Sequence, residues 1–245
     1  MDRRHFMGGS LAGLAALSLS TVSGASGGLK ALANGGPLKP PSDRRIRVGV
    51  AIAEQATVID FAGPWEVFQD VMLGGDDHAS HTMPFELYTV AATARPVRAT
   101  GGLQIIPDHT VDSAPDPDVI VIPALKSSGP LLDWIAAAAP ASAVTMSVCT
   151  GAFQLARTGL LDGLPATTHH DFYDRFAREF PTVRLERNMR FVDNGRLASA
   201  GGLTSGIDLA LRVVERYFGA NVAQRTADYM EYTGEGWKAG RGAEG

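Results

Sequence analysis

The stretch Val144-Thr145-Met146-Ser147-Val148-Cys149-Thr150-Gly151-Ala152-Phe153 decides the fold. Its first five residues form an apolar run of strand length, the pattern of a strand buried on both faces of a parallel sheet. Cys149-Thr150-Gly151 breaks that run, and from Ala152 to Arg157 the sequence turns helical. A side chain at such a strand-to-helix elbow projects from the carboxyl edge of the sheet, where the next helix points its free amides. Those amides and the helix dipole are expected to favour a thiolate and lower the pKa of Cys149. A buried cysteine is also an ordinary small hydrophobe. The elbow taken alone leaves both readings open.

Outward from the elbow, strands alternate with helices. Upstream lie strands at Ile46–Ile52, Phe85–Ala92 and Asp118–Ile122, a hairpin from Val97 to Ile106 around Gly101-Gly102, and a helix from Leu131 to Ala139. A further helix is expected to open at Gly63-Pro64 and run to Leu73, closed by Gly74-Gly75-Asp76-Asp77. Downstream come a short helix at Phe172–Glu179, a strand pair at Arg190–Val192 and Leu197–Ala200, and helices at Leu203–Phe218 and Val222–Tyr229. This order predicts an α/β fold, a parallel sheet between helices with sites at the carboxyl ends of its strands. No dinucleotide-binding glycine motif follows the first strand, and no phosphate-binding loop is present.

The 245 residues carry 45% hydrophobic and 20% charged side chains, ordinary for a globular protein. Net charge is −4, with no Lys/Arg run beyond the amino terminus, so the basic footprint that nucleic acid demands is missing. Residues 1–33 read as a twin-arginine signal peptide: Arg3-Arg4 before Phe6, a mildly apolar Gly8–Leu19, and Ala31-Leu32-Ala33 as the cleavage signal. Cleavage after Ala33 is the expectation, a retained anchor the alternative. It implies the twin-arginine export machinery as a partner and the periplasm or cell envelope as destination. Residues 34–45, rich in Pro and Gly, read as a linker, 46–233 as the domain and 234–245 as a flexible tail. The single cysteine can form no internal disulfide.

Three ordered segments carry a family resemblance: Ile59-Asp60-Phe61-Ala62-Gly63-Pro64-Trp65-Glu66-Val67, then Ser147 to Leu161 with Ala166-Thr167-Thr168-His169, then Ser199 to Leu211. Together they resemble the ThiJ/PfpI superfamily, whose fold is flavodoxin-like and related to class I glutamine amidotransferases. In detail they look most like the isonitrile hydratase branch and the sensor domains of AraC-type regulators. The resemblance implies Cys149 as nucleophile, Asp60 as its acid/base partner, and Thr150 assisting through its hydroxyl or amide. A helix-capping Asp60 is the plain alternative. Thr150 stands where protease-type members carry a histidine. His169 matches a histidine that lies near the cysteine in several members, and Gly63 and Leu125 are further site neighbours. The family's usual Gly-Gly pair is replaced by Ala124-Leu125, which puts the backbone donors facing the nucleophile in question.

The resemblance also implies a cysteine-dependent hydratase or hydrolase of a small molecule, with no cofactor. The His169-His170 pair lacks further ligands at a recognisable spacing, so no metal is expected. The first alternative is a non-catalytic periplasmic ligand-binding or sensor module. No room for a helix-turn-helix domain is expected after it, and an exported protein has no DNA to bind. The second alternative is thiol-based stress chemistry, of glyoxalase or deglycase type or as a peroxide sensor. A homodimer is the family's default.

Overall fold

The computed structural model describes residues 30–74, 82–126 and 129–238. The proposed signal sequence up to residue 29 and most of the expected turn after Gly74 lie outside the described residues, as does the tail from 239. The strands are β1 (Lys30–Ala33), β2 (Ile46–Ala51), β3 (Phe85–Ala91), β4 (Val97–Arg98), β5 (Gln104–Ile105), β6 (His109–Thr110), β7 (Val119–Ile122) and β8 (Val144–Val148). They continue with β9 (Pro165–Ala166), β10 (Arg184–Leu185), β11 (Met189–Asp193) and β12 (Leu197–Ala200). The helices are α1 (Val58–Gln69), α2 (Gly129–Ala138), α3 (Gly151–Arg157), α4 (Tyr173–Glu179), α5 (Ser205–Phe218) and α6 (Ala220–Tyr229).

Eight strands form one sheet in the order β1-β11-β12-β8-β7-β2-β3-β6. Every pairing in it is parallel except β11 with β12, which are joined by a short turn. That antiparallel pair is where this sheet departs from the all-parallel pattern. Every residue of β7 and β8 is buried, which is why both read as unbroken apolar runs. The carboxyl ends of β2, β7, β8 and β12 lie side by side at the middle of the sheet. Helices flank it, with α1 packed on α5. Gly63 sits at that helix crossing, where a Cβ would stand 2.9 Å from Cγ1 of Ile207. Its role is close packing.

Three sequence expectations are corrected. Helix α1 begins at Val58, five residues before Gly63, and Pro64 lies inside it. Tertiary bonds secure the early turn: Thr57 N donates to Ala124 O at 2.8 Å and Val58 N to Thr100 Oγ1 at 3.1 Å. A proline within a helix costs the bond its missing N–H would make, and here those contacts and the α5 packing outweigh it.

The stretch read as a linker is docked at its start. Asn34 N donates to Asp193 O at 2.9 Å and Leu38 N to Arg216 O at 2.7 Å. Arg212 Nη2 donates to Gly35 O and Arg216 Nε to Gly36 O, each at 2.8 Å. Both guanidiniums also hold the buried Asp193 carboxylate, at 3.4 and 3.2 Å. Gly35 is needed there because a side chain would strike that carboxylate.

The tail is likewise anchored over its first residues. Gly236–Lys238 forms a turn of 3₁₀-helix, and Trp237 is buried. The domain therefore extends past 233.

Candidate active site

Cys149 takes φ 57°, the left-handed region that a non-glycine residue seldom occupies. Such a conformation costs about 1–3 kcal/mol and persists only where surroundings impose it. Here Cys149 N donates to Gly201 O at 2.7 Å, and Thr168 Oγ1 donates to Cys149 O at 2.9 Å. The end of β12 and the segment after β9 thus clamp the elbow on both sides. Gly151 completes it, since a Cβ at that position would collide with Ile122 O at the end of β7. The glycine two residues after Cys149 answers to neighbouring backbone.

The Cys149 side chain is buried beside Asp60. Amides of Thr150 and Leu203 bond to its sulfur, as the elbow pattern implies for Thr150. The expected lowering of its pKa is nonetheless overturned. Burial first, and the Asp60 charge second, push the thiol up to about 12. Two amides do not compensate for a desolvated anion next to another. At neutral pH the resting residue is a thiol.

Asp60 lies in the first turn of α1, fully buried, and so does not cap that helix. Its Oδ2 accepts from Ala124 N at 3.1 Å, and its Oδ1 is buried with no nitrogen or oxygen donor among the described residues. Burial raises its pKa to about 6, against smaller lowering by the Ala124 amide and the Cys149 thiol. Above that pH it is a carboxylate beside a thiol, and a far weaker base than the thiolate would be. Together the two buried groups set a carboxyl directly beside a thiol.

The Ala124-Leu125 replacement costs no backbone geometry, for neither residue takes a positive φ. Ala124 turns its amide to Asp60 rather than toward an incoming ligand. Leu125 O accepts from the buried Gln154 Nε2 at 3.2 Å, which ties the loop after β7 to α3. The Leu125 amide makes no hydrogen bond among the described residues and remains a candidate donor. Leu203 is the residue that sequence reading missed. It also holds a positive φ, 53°, and its amide reaches the sulfur. The Gly201-Gly202 pair before it was the available signal of an unusual backbone.

His169 follows the Thr168 that bonds Cys149 O. Among the described residues no hydrogen bond or ring contact joins it to Cys149 or Asp60. It packs on Gly202, where a Cβ would collide with its ring, and borders a cavity of about 350 Å³ shared with Leu203 and Arg190. Its ring stacks on His170 at 4.3 Å, and Asp171 lies 3.7 Å from one imidazole and 3.2 Å from the other. Asp171 is the third group that the sequence spacing did not single out, and the three ligand atoms lie within 4.8 Å. His170 and Asp171 are exposed, and the three side chains form a polar cluster at the surface.

A second cavity, about 420 Å³, opens directly beside the elbow. Thr150, Phe153 and Gln154 line it from α3, Leu125 and Lys126 from the loop after β7, and Phe172 and Arg175 from the opposite wall.

Residues 46–216 match the DJ-1/PfpI family. The isonitrile hydratase of Pseudomonas putida is 32% identical over 194 residues, covering 76% of this chain and 78% of that protein. The HTH-type transcriptional regulator GbdR of Pseudomonas aeruginosa is 26% identical over 202 residues, 80% of this chain and 53% of the regulator. The chain thus spans about half the length of that regulator. The crystal structure of a ThiJ/PfpI family protein from Pseudomonas syringae superposes with a TM-score of 0.68 at 25% identity, covering 78% of this chain and 76% of that one. With its sheet, its elbow and its sequence in agreement, this chain belongs to the DJ-1/PfpI family.

Proposed function

We propose that the protein is a cysteine-dependent hydratase of isonitrile hydratase type. One observation carries the reading: a cysteine held at positive φ has a buried carboxyl beside it, with amides of Thr150 and Leu203 at the sulfur. The relative from Pseudomonas putida gives the reaction class. Asp60 takes the thiol proton as the sulfur bonds to the terminal isonitrile carbon. Asp60 then returns that proton to the same carbon, giving a thioimidate. Water adds to this carbon, the C–S bond breaks, and an N-substituted formamide leaves while Cys149 regains its proton. The sum is isonitrile plus water. Thr150 contributes its amide to the sulfur during these steps.

Incubation of the protein with a simple isonitrile tests this. Formamide should form with wild type and fall to background with Cys149→Ala; equal traces from both would end the proposal.

A ligand-binding module is the second reading, favoured by the similarity to the regulator GbdR. Ligand-induced thermal shifts that persist undiminished in Cys149→Ala, without turnover, would support it. The stress-chemistry reading loses ground, because redox-sensing cysteines are exposed and of low pKa while this thiol is buried and raised.

Export by the twin-arginine route to the periplasm is proposed from Arg3-Arg4 and the Ala31-Leu32-Ala33 signal. Cleavage after Ala33 would remove the edge strand β1 and leave Asn34 N beside Asp193 O. Replacing Arg3 and Arg4 by lysine in the full chain and tracking it by cell fractionation checks this. A homodimer, also proposed, is checked by light scattering.

A further inference from the structure

We propose that the cavity beside the elbow recognises an oxyanion, carboxylate or phosphate, carried on the apolar body of the small molecule that reaches Cys149. As a statement about substrate this rests on the hydratase reading; as a statement about binding it does not.

The cavity has two kinds of wall. Leu125, Phe153 and Phe172 present apolar surface next to Thr150, the residue after the nucleophile. Lys126, Arg157 and Arg175 supply the cationic side chains. Among the described residues Glu179 is the acid paired with this group, 2.6 Å from Arg175 Nε and 4.0 Å from Arg157 Nη2. A single carboxylate shared by two guanidiniums leaves a surplus of positive charge. No described residue forms an ion pair with Lys126, which adds to it.

The two guanidiniums are positioned rather than loose. Arg157 Nη1 donates to Gln154 Oε1 at 3.0 Å, and the same carboxamide, 5% exposed, bonds Leu125 O through its nitrogen. One buried side chain thereby links a cationic wall to the loop that also holds Asp60. Arg175 lies over the Phe153 ring at 5.3 Å, which fixes its guanidinium above the apolar floor. The chain as a whole carries −4, so a local surplus of cations is not a by-product of composition. Planar guanidiniums suit oxyanions because their parallel N–H groups match two oxygens at once.

Two measurements decide between outcomes. In the first, thermal shifts at constant ionic strength compare benzoate and phenyl phosphate with neutral benzamide on the intact protein. Either anion should raise Tm, the better of the two identifying the anion class. The shift should shrink with added salt and vanish in the Lys126→Gln/Arg157→Gln variant, whose own Tm reports that it is folded. Equal shifts from benzamide, no shift from either anion, or shifts retained by the variant would overturn the proposal. In the second, ω-isocyano carboxylates are compared with their methyl esters. The carboxylates should be preferred in kcat/KM by about tenfold, the worth of a charge-assisted hydrogen bond, and the variant should collapse that ratio. Turnover of both with no preference would overturn this proposal and leave the hydratase standing. Anion shifts without turnover of any isonitrile would do the reverse.

Discussion

The amide of Ala124 donates to Asp60 Oδ2 at 3.1 Å, so the loop after β7 holds the acid that faces the thiol of Cys149. Three strand ends meet through that bond. Asp60 comes after β2, Ala124 after β7, and Cys149 after β8. The bond is also one of few favourable contacts for a carboxylate otherwise stripped of water, and the consequences can be measured.

Asp60→Asn should stabilise the domain at pH 7 while removing activity. The folded-state pKa is raised from 3.8 to about 6, so folding is opposed by ionisation as pH rises through that interval. Below 3.8 the carboxyl is neutral in both states and the penalty is absent. The variant's advantage should therefore approach roughly 3 kcal/mol at pH 7 and fade toward zero near pH 3.8. Denaturant melts at both pH values check the sign.

The rate of formamide production should track the same carboxyl. With Asp60 as the proton acceptor, kcat/KM rises with pH through about 6 and then stays level, because the thiol is pushed up to about 12. A profile that falls above pH 6 would assign Asp60 the opposite protonation state.

Alkylation of Cys149 by iodoacetamide should be slow near neutrality. Removing the Asp60 charge takes away the second cause of the raised thiol pKa. In Asp60→Asn the rate–pH curve should shift to lower pH, and mass spectrometry of the Cys149 peptide would record it. An unmoved curve would mean that burial alone controls the thiol.

Gly151→Ala should destabilise the fold by about 3 kcal/mol, as overpacked sites do. The added methyl would strike Ile122 O, which is backbone and cannot swing aside. The change in midpoint on urea unfolding measures it.

Arg216→Met should destabilise the fold, by less than the about 3–5 kcal/mol of a fully orphaned buried charge, since Asp193 loses one of its two cationic partners. Asp193 would keep the longer contact to Arg212 and the Gly195 amide. Residues 34–38 would lose the bond to Gly36 as well. Hydrogen exchange should show that segment opening, with the sheet centre still protected.

The sequence alone determined the mostly parallel sheet, the elbow and the order of Asp60 and Cys149 along the chain. Buried strands have to be apolar on both faces and an elbow needs small residues, so both leave a local signature at Val119–Ile122 and Val144–Gly151. Tertiary structure decided what those residues are chemically. The thiol at the elbow should have been acidic by its local helix, but the energy of a buried charge depends on everything packed around it. Burial and the neighbouring carboxylate reversed the direction. Likewise Pro64 marked a helix start until the Thr57 and Val58 bonds moved it to residue 58, and 34–38 read as linker until Asp193 and Arg216 met them from across the chain. Partners distant in sequence leave no periodicity to read, which is why the amide of Leu203 and the cationic cavity beside Thr150 emerged only from the fold.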